Sequence, residues 1–188
     1  AVPRFQKPVL GLEELPPIDL VLISHDHYDH LDRRSILHFR NKDTKFIVPL
    51  GVSAYLIGWG IAGDRITELD WWEESDFRGI KIACTPSQHF SGRTGPRGNK
   101  TLWASYAVMG QQERIYFSGD SGYDIHFKEI GNRYGPFDIA FVESGQYNPI
   151  WPLSHMFPNE SIDAGIDLRA KKVQPIHWGM FNLSTHDW

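Results

Sequence analysis

The sequence predicts an α/β domain of the layered kind, and three features of its 188 residues support that prediction. Short apolar runs rich in β-branched residues alternate with segments of helical periodicity, which is typical of sheets covered by helices. Two of the runs are separated by Gly110-Gln111-Gln112, which favours an antiparallel hairpin and therefore mixed sheets. Histidine or aspartate follows several runs, at the carboxyl ends of strands where open α/β sheets collect ligands.

Length and composition are those of one folded domain over residues 1–188. Hydrophobic residues make up 41% of the chain and charged residues 22%, which excludes a disordered chain. No apolar run approaches the roughly 20 residues that span a bilayer. The net charge of −4 argues against a nucleic-acid-binding surface. The single cysteine, Cys84, excludes an internal disulfide and a cysteine-rich zinc site, and its apolar neighbours predict a buried side chain.

Seven strands and three helices are predicted. The first strand, Ile18–Ser24, is nearly all apolar, which indicates burial on both faces. The other strands are short apolar runs between turn residues: Lys45–Val48, Phe77–Cys84, Leu102–Met109, Arg114–Phe117, Phe137–Val142 and Val173–Ile176. Helical spacing predicts helices over Asp32–Arg40 and Val52–Trp59, and a third that is N-capped by Asn159 and reaches Leu168.

Metal-ligand side chains stand where four of these strands end. They are His25, His27, Asp29 and His30 after the first strand, then His89, Asp120 and His177 after three later ones. In an extended chain alternate side chains share a face, so the first three point the same way, and His30 falls where the chain turns into a helix. We expect all seven to meet at one edge of the sheet.

Imidazole and carboxylate without thiolate suit Zn(II), Fe(II) or Mn(II). Seven donors exceed one tetrahedral zinc and fit two ions about 3.5–4 Å apart that share a carboxylate. A lone histidine after a strand is usually a polar loop residue. The motif H-x-H-x-D-H together with three later donors at strand ends is unlikely to arise by chance. The sequence therefore predicts two divalent metal ions, zinc first, with iron or manganese as alternatives.

These motifs resemble those of the metallo-β-lactamase fold superfamily. Leu22–Asp32, Gln88-His89, Ser118–Tyr123 and Ile176–Gly179 are similar to the branch that contains N-acyl-phosphatidylethanolamine-hydrolysing phospholipase D and the bacterial RomA-like proteins. The resemblance runs from about Leu15 to the C terminus. It implies an αβ/βα sandwich of two mixed β-sheets with flanking helices. Several strands precede the first motif in that fold, so we expect N-terminal strands of the first sheet to be missing here.

The resemblance also implies a ligand assignment and a mechanism. His25, His27 and His89 would hold one metal, and Asp29, His30 and His177 the other. Asp120 would bridge both, and a metal-bridging hydroxide would attack an ester carbonyl or phosphorus. The implied catalytic residues are Asp29, which could also shuttle protons, Asp120, and His155, whose place resembles that of a group that reaches a substrate phosphate. As a bare sequence feature, a histidine before a helix is more often a surface or capping residue.

The function that follows is hydrolysis of phosphodiesters, most plausibly phospholipid-like ones. A lactone or carboxylic-ester hydrolase of the same fold is the alternative enzyme, and a metal-binding regulatory protein is the non-enzymatic one. We expect a small-molecule or lipid substrate, no nucleic-acid partner, and a cytoplasmic location, with peripheral contact to a membrane if the substrate is a lipid.

Five further residues lie near the motifs, and all but His126 have two interpretations. Arg93 could bind a phosphate, although a solvated loop arginine is the commoner case. Asp26 and Asp32 could orient neighbouring ligands or be solvated carboxylates. His126 falls in a helical pattern that favours the surface, and His186 could approach the metals or lie apart from them.

Overall fold

The computed structural model describes residues 4, 6–93, 98–182 and 184–186. The chain divides into two units, each with its own sheet and its own apolar core. The three-stranded unit comprises Pro8–Trp71 and Phe90–Trp103. The six-stranded unit comprises Ala1–Lys7, Trp72–His89 and Ala104–Trp188.

The described residues form nine strands and four α-helices. The strands are β1 Leu20–Leu22, β2 Lys45–Pro49, β3 Ile66–Leu69, β4 Glu74–Phe77, β5 Ile80–Thr85, β6 Ser105–Met109, β7 Arg114–Phe117, β8 Ile139–Glu143 and β9 Val173–Ile176. The helices are α1 Arg33–His38, α2 Ser53–Gly58, α3 His126–Tyr134 and α4 Pro158–Asp167, with short 3₁₀ turns at Leu12–Glu14 and Gly63–Arg65. No helix among these residues is long and apolar enough to cross a bilayer.

The three-stranded unit contains a parallel sheet in the order β1-β2-β3. β1 is only half-buried, in contrast to the predicted burial on both faces, because it is the edge strand of the three described. Asp32 begins α1 as its N-cap, since its carboxylate accepts the Ser35 N–H at 2.7 Å. The core packs α1 and α2 residues such as Ile36 and Leu56 against Phe46 and Val48 of the central strand.

The six-stranded unit contains the mixed sheet, in the order β4-β5-β6-β7-β8-β9. Neighbouring strands are antiparallel from β4 to β7 and parallel from β7 to β9. Because β6 is antiparallel to both β5 and β7, β5 runs in the same direction as β7, β8 and β9. The carboxyl ends of these four strands therefore lie at the same edge of the sheet.

Two strands were not expected from the sequence. Glu68 interrupts β3, and Glu74 and Asp76 occupy half of β4, which hides the apolar pattern. The predicted strand Phe77–Cys84 is in fact interrupted, because Arg78 (φ 52°) and Gly79 (φ 81°) adopt left-handed conformations and turn the chain between β4 and β5. The remaining predicted strands are confirmed with end shifts of up to three residues.

Helix α4 begins one residue before the expected N-cap. Pro158 occupies its first position, where the fixed φ of proline suits a helix start, and Asn159 therefore lies inside the helix. The Glu160 carboxylate accepts the Phe157 N–H at 2.8 Å and closes the first turn. The predicted fold class, α/β with two sheets and flanking helices, is confirmed. The prediction of a single domain stays a prediction.

Candidate metal centre

The H-x-H-x-D-H motif follows β1 in the three-stranded unit. The chain continues beyond β1 without regular structure as far as Asp26 and then turns, because the His30 and Leu31 N–H groups donate to the His27 carbonyl at 3.1 and 2.8 Å. Asp29 lies inside this turn. Its position is therefore set by the turn and not by the strand alternation that we expected.

The four donors of this motif come together within the unit. His25 Nε2 lies 2.8 Å from His27 Nδ1, and the ring centroids of His25 and His30 are 4.3 Å apart. His30 Nε2 is 3.5 Å from an oxygen of Asp29. The Ser24 hydroxyl lies 3.0 Å from His25 Nδ1, which leaves Nε2 as the ring nitrogen that faces the other donors.

Arg93 supports this turn from within the same unit. One guanidinium nitrogen, Nη1, donates to the carbonyls of Asp26 at 2.7 Å and Leu31 at 2.6 Å, the residues on either side of the turn. Its guanidinium carbon also lies 4.2 Å from the centroid of the Tyr28 ring. The buried carboxylate of Asp26 accepts the Gly92 N–H at 2.7 Å. Arg93 and Asp26 thus hold the ligand turn, whereas Asp32 acts as a helix cap.

The six-stranded unit presents the other predicted ligands at the carboxyl edge of its sheet. His89 follows β5, Asp120 follows β7 and His177 follows β9. Asp120 Oδ1 lies 3.4 Å from His177 Nε2, and Asp120 Oδ2 lies 3.8 Å from His89 Nε2. The two oxygens of one buried carboxylate therefore face two different histidines, as a bridging ligand requires.

His155 joins this group. One donor atom from each of Asp120, His155 and His177 lies within 4.8 Å of the others. The His155 and His177 rings are nearly parallel, with centroids 5.7 Å apart and an interplanar angle of 9°. His177 also has a positive φ of 66°, a conformation that non-glycine residues rarely adopt and that clusters at functional sites.

Glu143 is the residue that sequence reasoning missed. It is the last residue of β8 and fully buried, and its Oε1 lies 2.7 Å from His155 Nδ1. Burial by itself lowers the pKa of His155, but the hydrogen bond to Glu143 and the charges of Glu143 and Asp120 outweigh it, so the pKa is raised. The strand-end rule that found the other ligands also points to Glu143, because β8 ends at the same edge.

A hydrogen-bond network ties the His89 and Asp120 loops together. The Gly122 N–H donates to the Gln88 carbonyl at 2.8 Å, and the Gln88 N–H donates to the Ser121 hydroxyl at 2.9 Å. The same hydroxyl lies 3.2 Å from His126 Nε2. His126 is buried, in contrast to the surface position predicted, and burial lowers its pKa to about 4. The reason is that its helix, α3, turns this side chain toward the core.

His186 belongs to no donor group among the described residues. Its ring stacks on Tyr147 at 4.5 Å between centroids, and its Nε2 hydrogen-bonds the Tyr147 carbonyl at 3.0 Å. Cys84 is fully buried in β5, as its apolar neighbours predicted.

The donor chemistry fits divalent metal ions. In each unit, imidazole nitrogens and carboxylate oxygens lie within a few ångströms of one another, and neither cluster contains a thiolate. Donors of these two kinds suit zinc, iron or manganese. One expectation was wrong, because the ligands do not come from one sheet. The first motif follows a strand of the three-stranded sheet and the other three ligands follow strands of the six-stranded sheet, a division that strand ends alone do not reveal.

Comparison with known proteins agrees with this geometry. Residues 1–178 match the family described as "Beta-lactamase superfamily domain". The chain is 38% identical to N-acyl-phosphatidylethanolamine-hydrolyzing phospholipase D 1 of Caenorhabditis elegans over 98% of this chain and 55% of that protein. It is 52% identical to the outer membrane protein RomA of Klebsiella pneumoniae, over 53% of this chain and 75% of that protein.

Among solved structures, Igni18, a metallo hydrolase from Ignicoccus hospitalis, superimposes with a TM-score of 0.69 at 23% identity, over 86% of this chain and 64% of that chain. The chain spans about half the length of the first curated relatives that it matches. The predicted resemblance to the phospholipase D and RomA branch is confirmed. The chain belongs to the β-lactamase superfamily domain family and has the metallo-β-lactamase fold.

Proposed function

We propose that this chain is a hydrolase with two divalent metal ions, zinc first, and that it cleaves phosphodiesters of the phospholipid kind. The observation that supports two metals best is Asp120, whose two carboxylate oxygens face His177 and His89 separately. This arrangement leaves one carboxylate oxygen available for each ion. The substrate class is supported by the similarity to the phospholipase D of C. elegans, whose name states its substrate.

The ligand assignment predicted from the motifs is part of this proposal. In that assignment His25, His27 and His89 would hold one ion, Asp29, His30 and His177 would hold the other, and Asp120 would be shared. The support is the order of the motifs along the chain and the clustering of donors within each unit.

The residues of the chain have distinct tasks in this reaction. When bound, two divalent ions lower the pKa of a water molecule toward neutrality and stabilise negative charge on the substrate oxygens. His155, beside Asp120 and His177, is placed to contact the substrate phosphate, and its raised pKa favours the positive charge that such contact needs. Asp29, next to His30 in the turn, is placed to accept a proton.

The test combines metal analysis with a substrate comparison. Purified protein should contain about two equivalents of divalent metal by mass spectrometry, and prolonged chelation should abolish hydrolysis until metal is restored. It should cleave N-acyl-phosphatidylethanolamine in vesicles, or an aryl phosphodiester, in preference to a series of lactones and carboxylic esters. A preference for lactones would favour the alternative enzyme, and full metal content without hydrolysis of either series would favour a regulatory protein.

Asp120→Asn is the variant that tests the role of the shared carboxylate. We expect it to lose at least one metal equivalent and more than about 100-fold in activity, because it removes the shared carboxylate. Asp124→Asn is the control, since Asp124 lies in the same segment, is exposed, and accepts the N–H of the adjacent Ile125 at 2.7 Å. Unchanged metal content and hydrolysis in Asp120→Asn would refute the proposal.

A further inference from the structure

A buried carboxylate stands behind the histidines of the six-stranded unit. Glu143 has no exposed surface, and its carboxylate lies within hydrogen-bond distance of three nitrogen atoms. Oε1 accepts the Gly145 N–H at 2.7 Å and lies 2.7 Å from His155 Nδ1, and Oε2 accepts the Met156 N–H at 3.1 Å. Nothing in the ligand motifs accounts for this residue.

The protonation of the His155 ring follows from these partners. Both backbone groups can only donate, so both oxygens of Glu143 must act as acceptors, which is the behaviour of an ionised carboxylate. The third partner, His155 Nδ1, must then carry a hydrogen. Nε2 is consequently the nitrogen that His155 has left for the group formed with Asp120 and His177.

The backbone around Glu143 leaves this arrangement little freedom. A Cβ atom on Gly145 would lie 2.5 Å from Glu143 Oε1 and 2.5 Å from His177 Nδ1, so only glycine fits there. The Glu143 N–H in turn donates to the Ser118 hydroxyl at 2.8 Å, in the segment that leads to Asp120. The carboxylate is therefore fixed in position relative to both His155 and Asp120.

We propose that Glu143 is a positioning residue that fixes the ring hydrogen of His155 on Nδ1 and so directs Nε2 toward the metal and substrate side of the site. Carboxylates commonly orient histidines in metal sites in this way, and their loss costs about 10–100-fold in metal affinity or activity. For the role of His155 in the reaction, the inference rests on the proposed function. The state of the ring can be measured without it.

Glu143→Gln is the variant that isolates this role. An amide has the same shape but one acceptor oxygen and one donor nitrogen, so it cannot satisfy all three neighbours at once. In metal-free protein labelled with ¹⁵N-histidine, at a pH where the rings are neutral, NMR should show the His155 hydrogen on Nδ1 in the wild type. It should show a shift toward Nε2 in Glu143→Gln. The signals of His155 are those that disappear in His155→Asn.

The rate of phosphodiester hydrolysis and its pH profile provide the second readout. Glu143→Gln should lower phosphodiester turnover at least tenfold, within the about 10–100-fold range for such partners, and should move its pH profile. The control is Glu74→Gln in the same unit, where the carboxylate accepts the Tyr134 hydroxyl at 3.0 Å. Glu74 lies on β4, at the opposite end of the strand order from β9. Glu74→Gln should leave the ring signals and the pH profile unchanged.

A second pair of variants keeps the test decisive if Glu143→Gln does not fold. His155→Asn places an amide nitrogen near the position of Nδ1 and can still donate to Glu143, whereas His155→Gln reaches toward the position of Nε2 and cannot. Both should lose turnover, but the urea midpoint should fall more in His155→Gln. The reverse order of midpoints, or a wild-type ring with its hydrogen on Nε2, would overturn the inference. A correct ring state without phosphodiesterase activity would instead refute only the proposed function.

Discussion

At the scale of single residues, the ligand turn of the three-stranded unit depends on one guanidinium group. Arg93 donates to the carbonyls on both sides of the turn that contains His27, Asp29 and His30. A planar guanidinium can hold two acceptors in fixed directions, and the ammonium of lysine cannot. The backbone of the ligand turn is thus held by protein contacts of its own.

We expect Arg93→Lys to weaken metal binding by about tenfold, the lower end of the effect of losing a supporting group. The measurement is competition between the protein and a coloured chelator for Zn²⁺. Arg65→Lys is the matched control, because Arg65 of the same unit also donates to backbone carbonyls, those of Phe39 and Thr44 at 2.8 Å. Equal losses of affinity in both variants would mean that Arg93 acts only through general stability.

His126 predicts a pH dependence of stability. Its pKa is lowered to about 4 in the folded protein, whereas it is about 6.5 in the unfolded chain. As the pH falls below 6.5 the unfolded chain takes up a proton that the folded protein does not, so stability decreases until the pH reaches about 4. The difference amounts to about 2 kcal/mol at pH 5.

His126→Gln removes this titration while an amide can still bond to the Ser121 hydroxyl. Urea unfolding of metal-free protein at pH 7 and pH 5 should show that the variant loses about 2 kcal/mol less than the wild type. All other titrating groups are common to the two proteins and cancel in the comparison. Parallel losses would show that His126 does not titrate as its burial indicates.

At the scale of elements, α3 and α4 pack at a separation that one glycine permits. A Cβ on Gly131 of α3 would lie 2.0 Å from the Asp167 carbonyl and 2.9 Å from the Leu168 Cα. α4 begins three residues after His155, and its Ser161 hydroxyl donates to the Glu143 carbonyl at 3.0 Å. The packing of these two helices therefore bears on the residues of the candidate site.

Gly131→Ala should destabilise the protein by about 1–3 kcal/mol or more, even though alanine favours helices by about 1 kcal/mol. Gly58→Ala in α2 is the control, because nothing lies within 4 Å of its added Cβ, and it should be neutral or stabilising. Denaturant unfolding of both variants tests this. A stable Gly131→Ala protein would mean that the helices separate easily.

At the scale of the whole molecule, the sequence predicted the strand ends better than the sheets. Strands such as Arg114–Phe117 and Val173–Ile176 were predicted with their observed bounds, and each leads into a ligand, because apolar runs and the polar residues after them are local features. The assignment of strands to two separate sheets depends on long-range pairing, which has no local signature. Glu143 stands at a strand end like the ligands, but its pairing with His155, twelve residues away on the far side of a loop, has no local signature either.

The order of the strands along the chain also sets the order in which the donors of the six-stranded unit are synthesised. Of these donors His89 is synthesised first, and His177 follows the edge strand β9, which among the described strands pairs with β8 alone. A chain still emerging from the ribosome can form the sheet as far as β8, with His89, Asp120 and Glu143 in place, before His177 exists. This group of the six-stranded unit can therefore acquire its full set of donors only after His177 has been synthesised.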